Sequence, residues 1–253
     1  MPDDAIVEVE GIGKTYPGGV EALRNVNLAF PRGKLSTLLG PSGCGKTTLL
    51  KIIAGLIPHN AGEVRVNGKK IQGPGPERAF VFQDFALMPW ATVLRNVAFG
   101  LELRGDPRVQ REATARRYIA EVGLSGFEAS HPNQLSGGMR QRVGLARALA
   151  VDSDIILMDE PFSSVDEQTR RKFQEDLLDL LRHRRKTVIF VTHSIEEAAY
   201  LSDQIALLSP RPGTVSRIIR PNVDRSRSAD EIRRDRNYLD TVDEIWQILK
   251  QYV

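Results

Sequence analysis

Apolar and polar positions along the chain change period several times, and each change marks an element. Residues 6–10, Ile-Val-Glu-Val-Glu, alternate with the period of a half-buried strand. After the turn Tyr16-Pro17-Gly18-Gly19, Val20 to Phe30 predicts a second strand, and Pro31-Arg32-Gly33 turns the chain again. Leu35-Ser36-Thr37-Leu38-Leu39 reads as a short strand buried on both faces. Gly62-Glu63-Val64-Arg65-Val66-Asn67-Gly68 predicts a strand entering a tight turn. Ala79-Phe80-Val81-Phe82, Ile155-Ile156-Leu157-Met158 and Thr187-Val188-Ile189-Phe190-Val191-Thr192 predict further buried strands. Ile205-Ala206-Leu207-Leu208 and Val215 to Ile219 add two more.

Between these runs the period lengthens to that of a helix. Thr48 to Ala54 reads as a helix closed by Gly55. Arg108 to Val122 reads as a helix carrying Val109, Ala113, Ala120 and Val122 as its apolar positions. Ser136 is a good N-cap for a helix with Val143, Leu145, Ala146 and Leu149 on its apolar face. A charged helix follows Asp166 to about Arg182, and Arg182-His183-Arg184-Arg185-Lys186 is expected to be an exposed turn. From Pro221 the chain is polar and arginine-rich. Ser228-Ala229-Asp230-Glu231 fits a capping box, and Leu239, Val242, Ile245, Trp246 and Leu249 predict one apolar helix face. Strands alternating with helices point to an α/β domain over residues 1–220. A mostly helical subdomain is inserted at about 85–135, and a helical tail spans 221–253.

Composition narrows this only slightly. A chain of 253 residues suits one large domain with room for a subdomain. The net charge of +3, from 35 basic and 32 acidic residues, is too mild to argue for nucleic acid or membrane lipid as a partner. The single cysteine excludes an intrachain disulfide and fits a reducing compartment. Met1-Pro2-Asp3-Asp4 lacks the basic start of a signal peptide, and no apolar run approaches a membrane span. The expected location is the cytosol, or the cytosolic face of something else.

The chemistry centres on Gly40-Pro41-Ser42-Gly43-Cys44-Gly45-Lys46-Thr47, which fits the phosphate-binding pattern G-x-x-x-x-G-K-[ST] between a strand and a helix. Glycines let backbone N–H groups turn inward, and the helix N-terminus adds positive potential. Lys46 is expected to reach the β- and γ-phosphates and the Thr47 hydroxyl to ligate Mg²⁺. A glycine-rich turn with a solvated lysine is the bland alternative, disfavoured by the correct flanks. Cys44, beside the helix N-terminus, is expected to favour its thiolate.

Other positions carry two readings each. Tyr16 is either a half-buried strand-end tyrosine or a platform for an adenine ring. Gln83, after a buried strand, is either a surface residue or a group approaching Mg²⁺ and the attacking water. Phe85-Ala86-Leu87-Met88-Pro89-Trp90 is either a plug under the helical subdomain or part of a partner-binding groove. Leu135-Ser136-Gly137-Gly138 is a capped helix start whose unhindered N–H groups also suit an anion. Asp159 and Glu160 end an apolar strand where ligands gather. Asp159 is placed to hold the Mg²⁺ shell and Glu160 to orient or deprotonate a water. His193 stands at the carboxyl end of another strand, where a chemical group is useful.

Together these pieces resemble the ATP-binding subunit of ABC transporters, over roughly Ile6 to Ile219 and in that family's order. The resemblance implies an α/β fold: a P-loop NTPase core with an antiparallel β subdomain and an inserted helical subdomain. It implies a nucleotide set of Tyr16, Gly40, Pro41, Ser42, Gly43, Cys44, Gly45, Lys46, Thr47, Thr48, Ser136, Gly137, Gly138 and Asp166. Thr47, Gln83 and Asp159 would serve Mg²⁺, and Glu160, Gln83 and His193 would serve catalysis. Met139 departs from the commoner glutamine after the signature glycines. ATP would lie between two copies of the chain, head to tail, with Ser136, Gly137 and Gly138 of one copy covering the phosphate loop of the other.

Met88-Pro89-Trp90, Leu201-Ser202-Asp203 and Ser209-Pro210-Arg211-Pro212-Gly213 look like the importer branch for nitrate, sulfonate, taurine and bicarbonate. That implies an ATPase on the cytoplasmic face of the inner membrane, a separate integral membrane permease subunit, and indirectly a solute-binding protein. The alternative is a soluble ABC-type ATPase acting on nucleic acid or ribosomes. Such chains usually carry two ATP domains or a long coiled coil, and residues 55–135 lack sustained heptads.

Overall fold

A computed structural model of the chain describes residues 4–163 and 165–252, apart from the side chains of residues 167, 169 and 181–184. β1 (Ala5–Tyr16) and β2 (Val20–Pro31) open it, β1 running past the alternating stretch that predicts it. β3 (Leu35–Leu39) is buried at every position, as predicted, with Ser36 and Thr37 buried among its leucines. α1 (Lys46–Ala54) ends where Gly55 takes φ 76° and returns its N–H to the Ile52 carbonyl at 2.9 Å. β4 (Ala61–Val66) and β5 (Lys69–Lys70) form a hairpin around Asn67 and Gly68. Both sit at positive φ, the Asn-Gly turn that matches strand twist. Next come β6 (Arg78–Val81), α2 (Val93–Leu103), α3 (Arg108–Glu121), α4 (Gly137–Ala150), β7 (Ile155–Asp159) and α5 (Glu167–Arg184). The chain closes with β8 (Thr187–Val191), α6 (Ile195–Leu201), β9 (Gln204–Leu208), β10 (Val215–Ile219), α7 (Ala229–Arg234) and α8 (Arg236–Leu249).

Residues 76–180 form one compact unit, and the described residues before and after them form another. The flanking unit holds the antiparallel sheet β2-β1-β4-β5 and a group of strands ordered β10-β9-β3-β8. β3 runs parallel to both β8 and β9, with Leu38 opposite Val191 and Leu39 opposite Leu207. The carboxyl ends of three parallel strands therefore share one edge. Leu39, Ala198, Ile205, Leu207, Ile219 and Ile245 pack into a core under them. Ile245 brings α8 into this core, so the helix packs on its own unit, and full burial of such a side chain contributes about 1.5–3 kcal/mol.

The buried positions of α8 correct the predicted face. Tyr238, Thr241 and Ile245 are buried, while Leu239 and Trp246 are exposed. The aromatic ring of Tyr238 and the methyl of Thr241, which bonds its hydroxyl to the Asn237 carbonyl at 2.7 Å, fill the inner stripe instead. The capping box at Ser228 forms as expected, with Ser228 Oγ donating to Glu231 and accepting the Glu231 N–H.

In the 76–180 unit, β6 and β7 pair in parallel, with Val81 opposite Met158. α2, α3 and α4 pack on one another. Of the four apolar positions predicted for this helix, only Val122 is buried. Val109 is 82% exposed, and Ala113 and Ala120 are also exposed. Ala115, Tyr118, Ile119 and Val122 are buried, and they follow the i, i+3, i+4, i+7 stripe more closely. α5 continues to Arg184, so the basic cluster begins as helix and turns only at Arg185, with φ 50°.

Candidate functional site

In the flanking unit the site grows from the carboxyl edge of β3. Gly40 leaves the strand, and Gly43 and Gly45 take φ 75° and 104° to bend the loop into α1. Gly45 is the N-cap, and its carbonyl accepts the Leu49 N–H at 2.8 Å. Ser42 and Gly43 are exposed, whereas Lys46 is buried. Lys46 Nζ donates to the carbonyls of Gly40 at 2.7 Å and Pro41 at 3.0 Å, which folds the loop around its own ammonium group. An open concave loop with a cation at its centre suits phosphate oxygens.

Cys44 contradicts its expected chemistry. It is 1% exposed, and burial pushes its thiol up, outweighing the nearby positive charge of Lys46. A helix N-terminus favours a thiolate only where solvent or a partner supports the charge. Here the side chain turns into the protein, and the Cys44 N–H donates to the Pro41 carbonyl at 3.3 Å.

Tyr16 ends β1 beside the same loop. Its hydroxyl lies 3.2 Å from Thr48 Oγ1, which ties the ring to α1. Lys14 Nζ sits 5.1 Å from the ring centroid and donates to the Pro58 carbonyl at 2.7 Å. Lys14 thus supports the ring through a cation–π contact. It lies two residues before Tyr16, where the β1–β2 register shifts, so the regular strand period does not mark the pair.

His193 follows β8, the parallel neighbour of β3, and is exposed at the same edge. Its two flanking residues are anchored. Thr192 Oγ1 donates to Glu197 Oε2 at 2.5 Å and accepts the Ser194 N–H at 3.0 Å. Ser194 caps α6 by accepting the Glu197 N–H at 3.2 Å. The buried Glu197, absent from the predicted site, fixes the backbone on both sides of His193.

In the 76–180 unit, the carboxyl ends of β6 and β7 lie side by side, which brings Gln83 and the Asp159–Glu160 pair to one edge. Asp159 is buried; Glu160 is half-buried at φ 45°. Gln83 is exposed, two residues past the end of β6. Ser136 caps α4 by accepting the Met139 N–H at 3.3 Å, leaving Gly137 and Gly138 in the first helical turn. Asp166 is exposed just before α5, with its carbonyl accepting the Arg170 N–H at 2.8 Å. Ser164, beside it, lies outside the described residues.

The loop after Gln83 has an unusual backbone. Phe85 and Ala86 take φ 63° and 44°, conformations that cost non-glycine residues about 1–3 kcal/mol each. Arg147 of α4 holds them there, donating to the Ala86 carbonyl at 2.6 Å and the Phe85 carbonyl at 2.8 Å. Arg140, seven residues earlier on α4, lies over the Phe85 ring at 5.6 Å. Nothing in the hydrophobic pattern of α4 marks Arg147, because its partners are carbonyls.

A family model described as ABC transporter matches residues 23–163. An uncharacterized ABC transporter ATP-binding protein of Methanocaldococcus jannaschii is 48% identical over 98% of this chain and 92% of its own length. A taurine import ATP-binding protein of Pseudomonas syringae pv. tomato is 47% identical, covering 95% of this chain and 94% of its own length. A solved dimeric structure of an ATP-binding cassette in a post-hydrolysis state, bound to ADP and Pi, matches with TM-score 0.76 and 35% identity. It covers 85% of this chain and 98% of that one. With a family model over more than half its length and such relatives over nearly all of it, the chain belongs to the ABC transporter family.

Proposed function

We propose that the chain is the ATP-hydrolysing subunit of an importer, working on a separate membrane permease and serving a small anion of the taurine, sulfonate, nitrate or bicarbonate class. The phosphate loop carries the nucleotide reading: its glycines bend it open, and Lys46 sits at its centre. The solute class rests on relatives named for taurine import in several Pseudomonas species and Escherichia coli, at 46–50% identity. No helix among the described residues is long and apolar enough to cross a membrane. We place the chain at the cytoplasmic face of the inner membrane, reached indirectly by a solute-binding protein through the permease.

The roles follow from residue chemistry. Backbone N–H groups of residues 42–47 and the Lys46 ammonium hold the phosphates. Thr47, Asp159 and Gln83 offer hard oxygen donors, the set Mg²⁺ prefers, and the bound ion would offset phosphate charge. Glu160 orients and deprotonates the water, and His193 bonds the γ-phosphate. Ser136, Gly137, Gly138 and Asp166 act across a head-to-tail dimer, on nucleotide held by the second copy. Loss of the γ-phosphate removes the contact joining the two copies and lets the dimer open.

Tyr16 gives a direct test of the nucleotide site. Base stacking on an aromatic ring is worth roughly 1–3 kcal/mol by alanine substitution. Tyr16→Ala is expected to weaken ATP binding, read by calorimetry, by that amount, and Tyr16→Phe to weaken it mildly through the lost Thr48 contact. Equal affinity for Tyr16→Ala and the unaltered chain would leave the ring a structural strand end.

A further inference from the structure

The turn at residues 209–214 carries no role in the function described above. We infer that it is a prop for the phosphate loop and that Gly213 is a positioning residue of the nucleotide site, an inference that rests on the nucleotide reading of that loop.

The turn leaves the carboxyl end of β9 and is closed by Ser209. The Ser209 N–H donates to the Thr214 carbonyl at 3.0 Å, and Ser209 Oγ accepts the Thr214 N–H at 3.0 Å. The two hydroxyls lie 2.9 Å apart. This closure delivers Gly213 to β2, where its N–H donates to the Ala22 carbonyl at 2.9 Å and its carbonyl accepts the Arg24 N–H at 3.0 Å. Gly213 is thereby bridged to Leu23, parallel to it.

The other side of Gly213 faces the phosphate loop. A β-carbon built on Gly213 would lie 2.0 Å from the Cys44 carbonyl oxygen and 3.3 Å from the Cys44 carbonyl carbon. The difference is close to the length of a C=O bond, so the Cys44 carbonyl points straight at Gly213. Neither partner can yield by changing rotamer, because both are backbone. In a planar trans peptide the N–H of the next residue points opposite to the carbonyl. Holding the Cys44 carbonyl toward Gly213 therefore aims the Gly45 N–H away from it.

Two further close approaches lock the same place. A β-carbon on Gly45 would lie 2.7 Å from Leu23 Cδ2 and 2.9 Å from the Ala22 carbonyl oxygen. One on Gly40 would lie 2.7 Å from the Leu208 carbonyl oxygen, at the residue before the turn. β2, the end of β9 and the turn thus enclose the loop from its buried side. The demand on residue 213 is for space, since its φ is not in the left-handed region.

Cys44 is the chain's only cysteine, so thiol labelling reads this loop alone. The test compares Gly213→Ala with the unaltered full-length chain by MgATP affinity, iodoacetamide labelling without nucleotide, and thermal unfolding. Labelling of the unaltered chain starts slow, because Cys44 is buried. Gly213→Ala is expected to weaken MgATP binding at least ~10-fold and to speed labelling by a similar factor, as for a redirected hydrogen bond to a charged ligand. Val64→Ala, in β4 of the antiparallel sheet, is the control for general loosening. If it shifts both readouts as much as Gly213→Ala does, Gly213 is merely structural. Unchanged MgATP affinity in a folded Gly213→Ala protein also overturns the proposal. Should that variant fail to fold, Ser209→Ala opens the turn without adding atoms and is expected to move both readouts the same way; no movement sinks the idea. If the unaltered chain binds no MgATP, the nucleotide reading fails, and labelling alone decides whether Gly213 props the loop.

Discussion

Glu160→Gln is expected to bind MgATP normally and turn it over at least ~100-fold more slowly, the size of a lost general base. The substitution keeps the shape of the side chain and removes its basicity. It should also accumulate an ATP-bound dimer in size-exclusion chromatography, because closure no longer leads to opening. The backbone offers a second, independent check. Glu160 sits at φ 45° directly after the fully buried β7, a conformation that costs a non-glycine residue about 1–3 kcal/mol. Glu160→Gly relieves that strain and removes the carboxylate together. It should be as inactive as Glu160→Gln, with the relieved backbone strain offsetting part of what loss of the side chain costs in stability. Near-normal ATPase activity in either variant would take Glu160 out of the catalytic role.

The second large effect belongs to the loop at residues 83–90. Trp90 is 74% exposed, and Leu87 and Met88 are half-buried. Arg147 fixes the backbone beside them from the body of α4. An exposed tryptophan beside half-buried apolar side chains suits an amphipathic helix of a membrane partner, in a contact set by a few anchors. Trp90→Asp is expected to leave nucleotide binding unchanged and stability within about 0.5 kcal/mol, because the ring contributes little to the core. With the permease present, the same variant should lose subunit co-purification and solute uptake. A variant that unfolds would assign the cluster to the core. One that assembles and transports would place the coupling surface elsewhere.

Much of the fold was legible because buried parallel strands announce themselves as short, mainly apolar runs between turns and helices. β3, β7, β8 and β9 are buried at every position and fall within a residue or two of their predicted bounds. Helix faces were harder to read. α3 and α8 each carry apolar residues on both sides, and the predicted sets mix exposed positions with buried ones while omitting others that are buried, such as Ile119 and Tyr238. The true stripe of α3 passes through Tyr118, a residue whose polar tip hides a fully buried ring.

The candidate site divides along the same line. The residues proposed to meet a ligand lie at strand ends and in glycine-rich loops, where spacing reveals them. Residues that hold those loops do not. Lys14, Arg147, Glu197 and Gly213 act through carbonyls, a ring face or bare space, and none of these leaves a periodic trace. Cys44 shows the opposite failure. Its position beside a helix N-terminus argued for a thiolate, and only its burial reverses that.

Uptake into sealed vesicles tests the central claim most directly. The chain, assembled with its membrane permease and with MgATP on its own side of the membrane, is supplied with labelled taurine and its solute-binding protein outside. The account predicts accumulation that requires ATP, stops with Glu160→Gln, and is accompanied by hydrolysis faster than that of the isolated chain. ATP hydrolysis that ignores the permease and solute, yet rises on adding RNA or ribosomes, would contradict it.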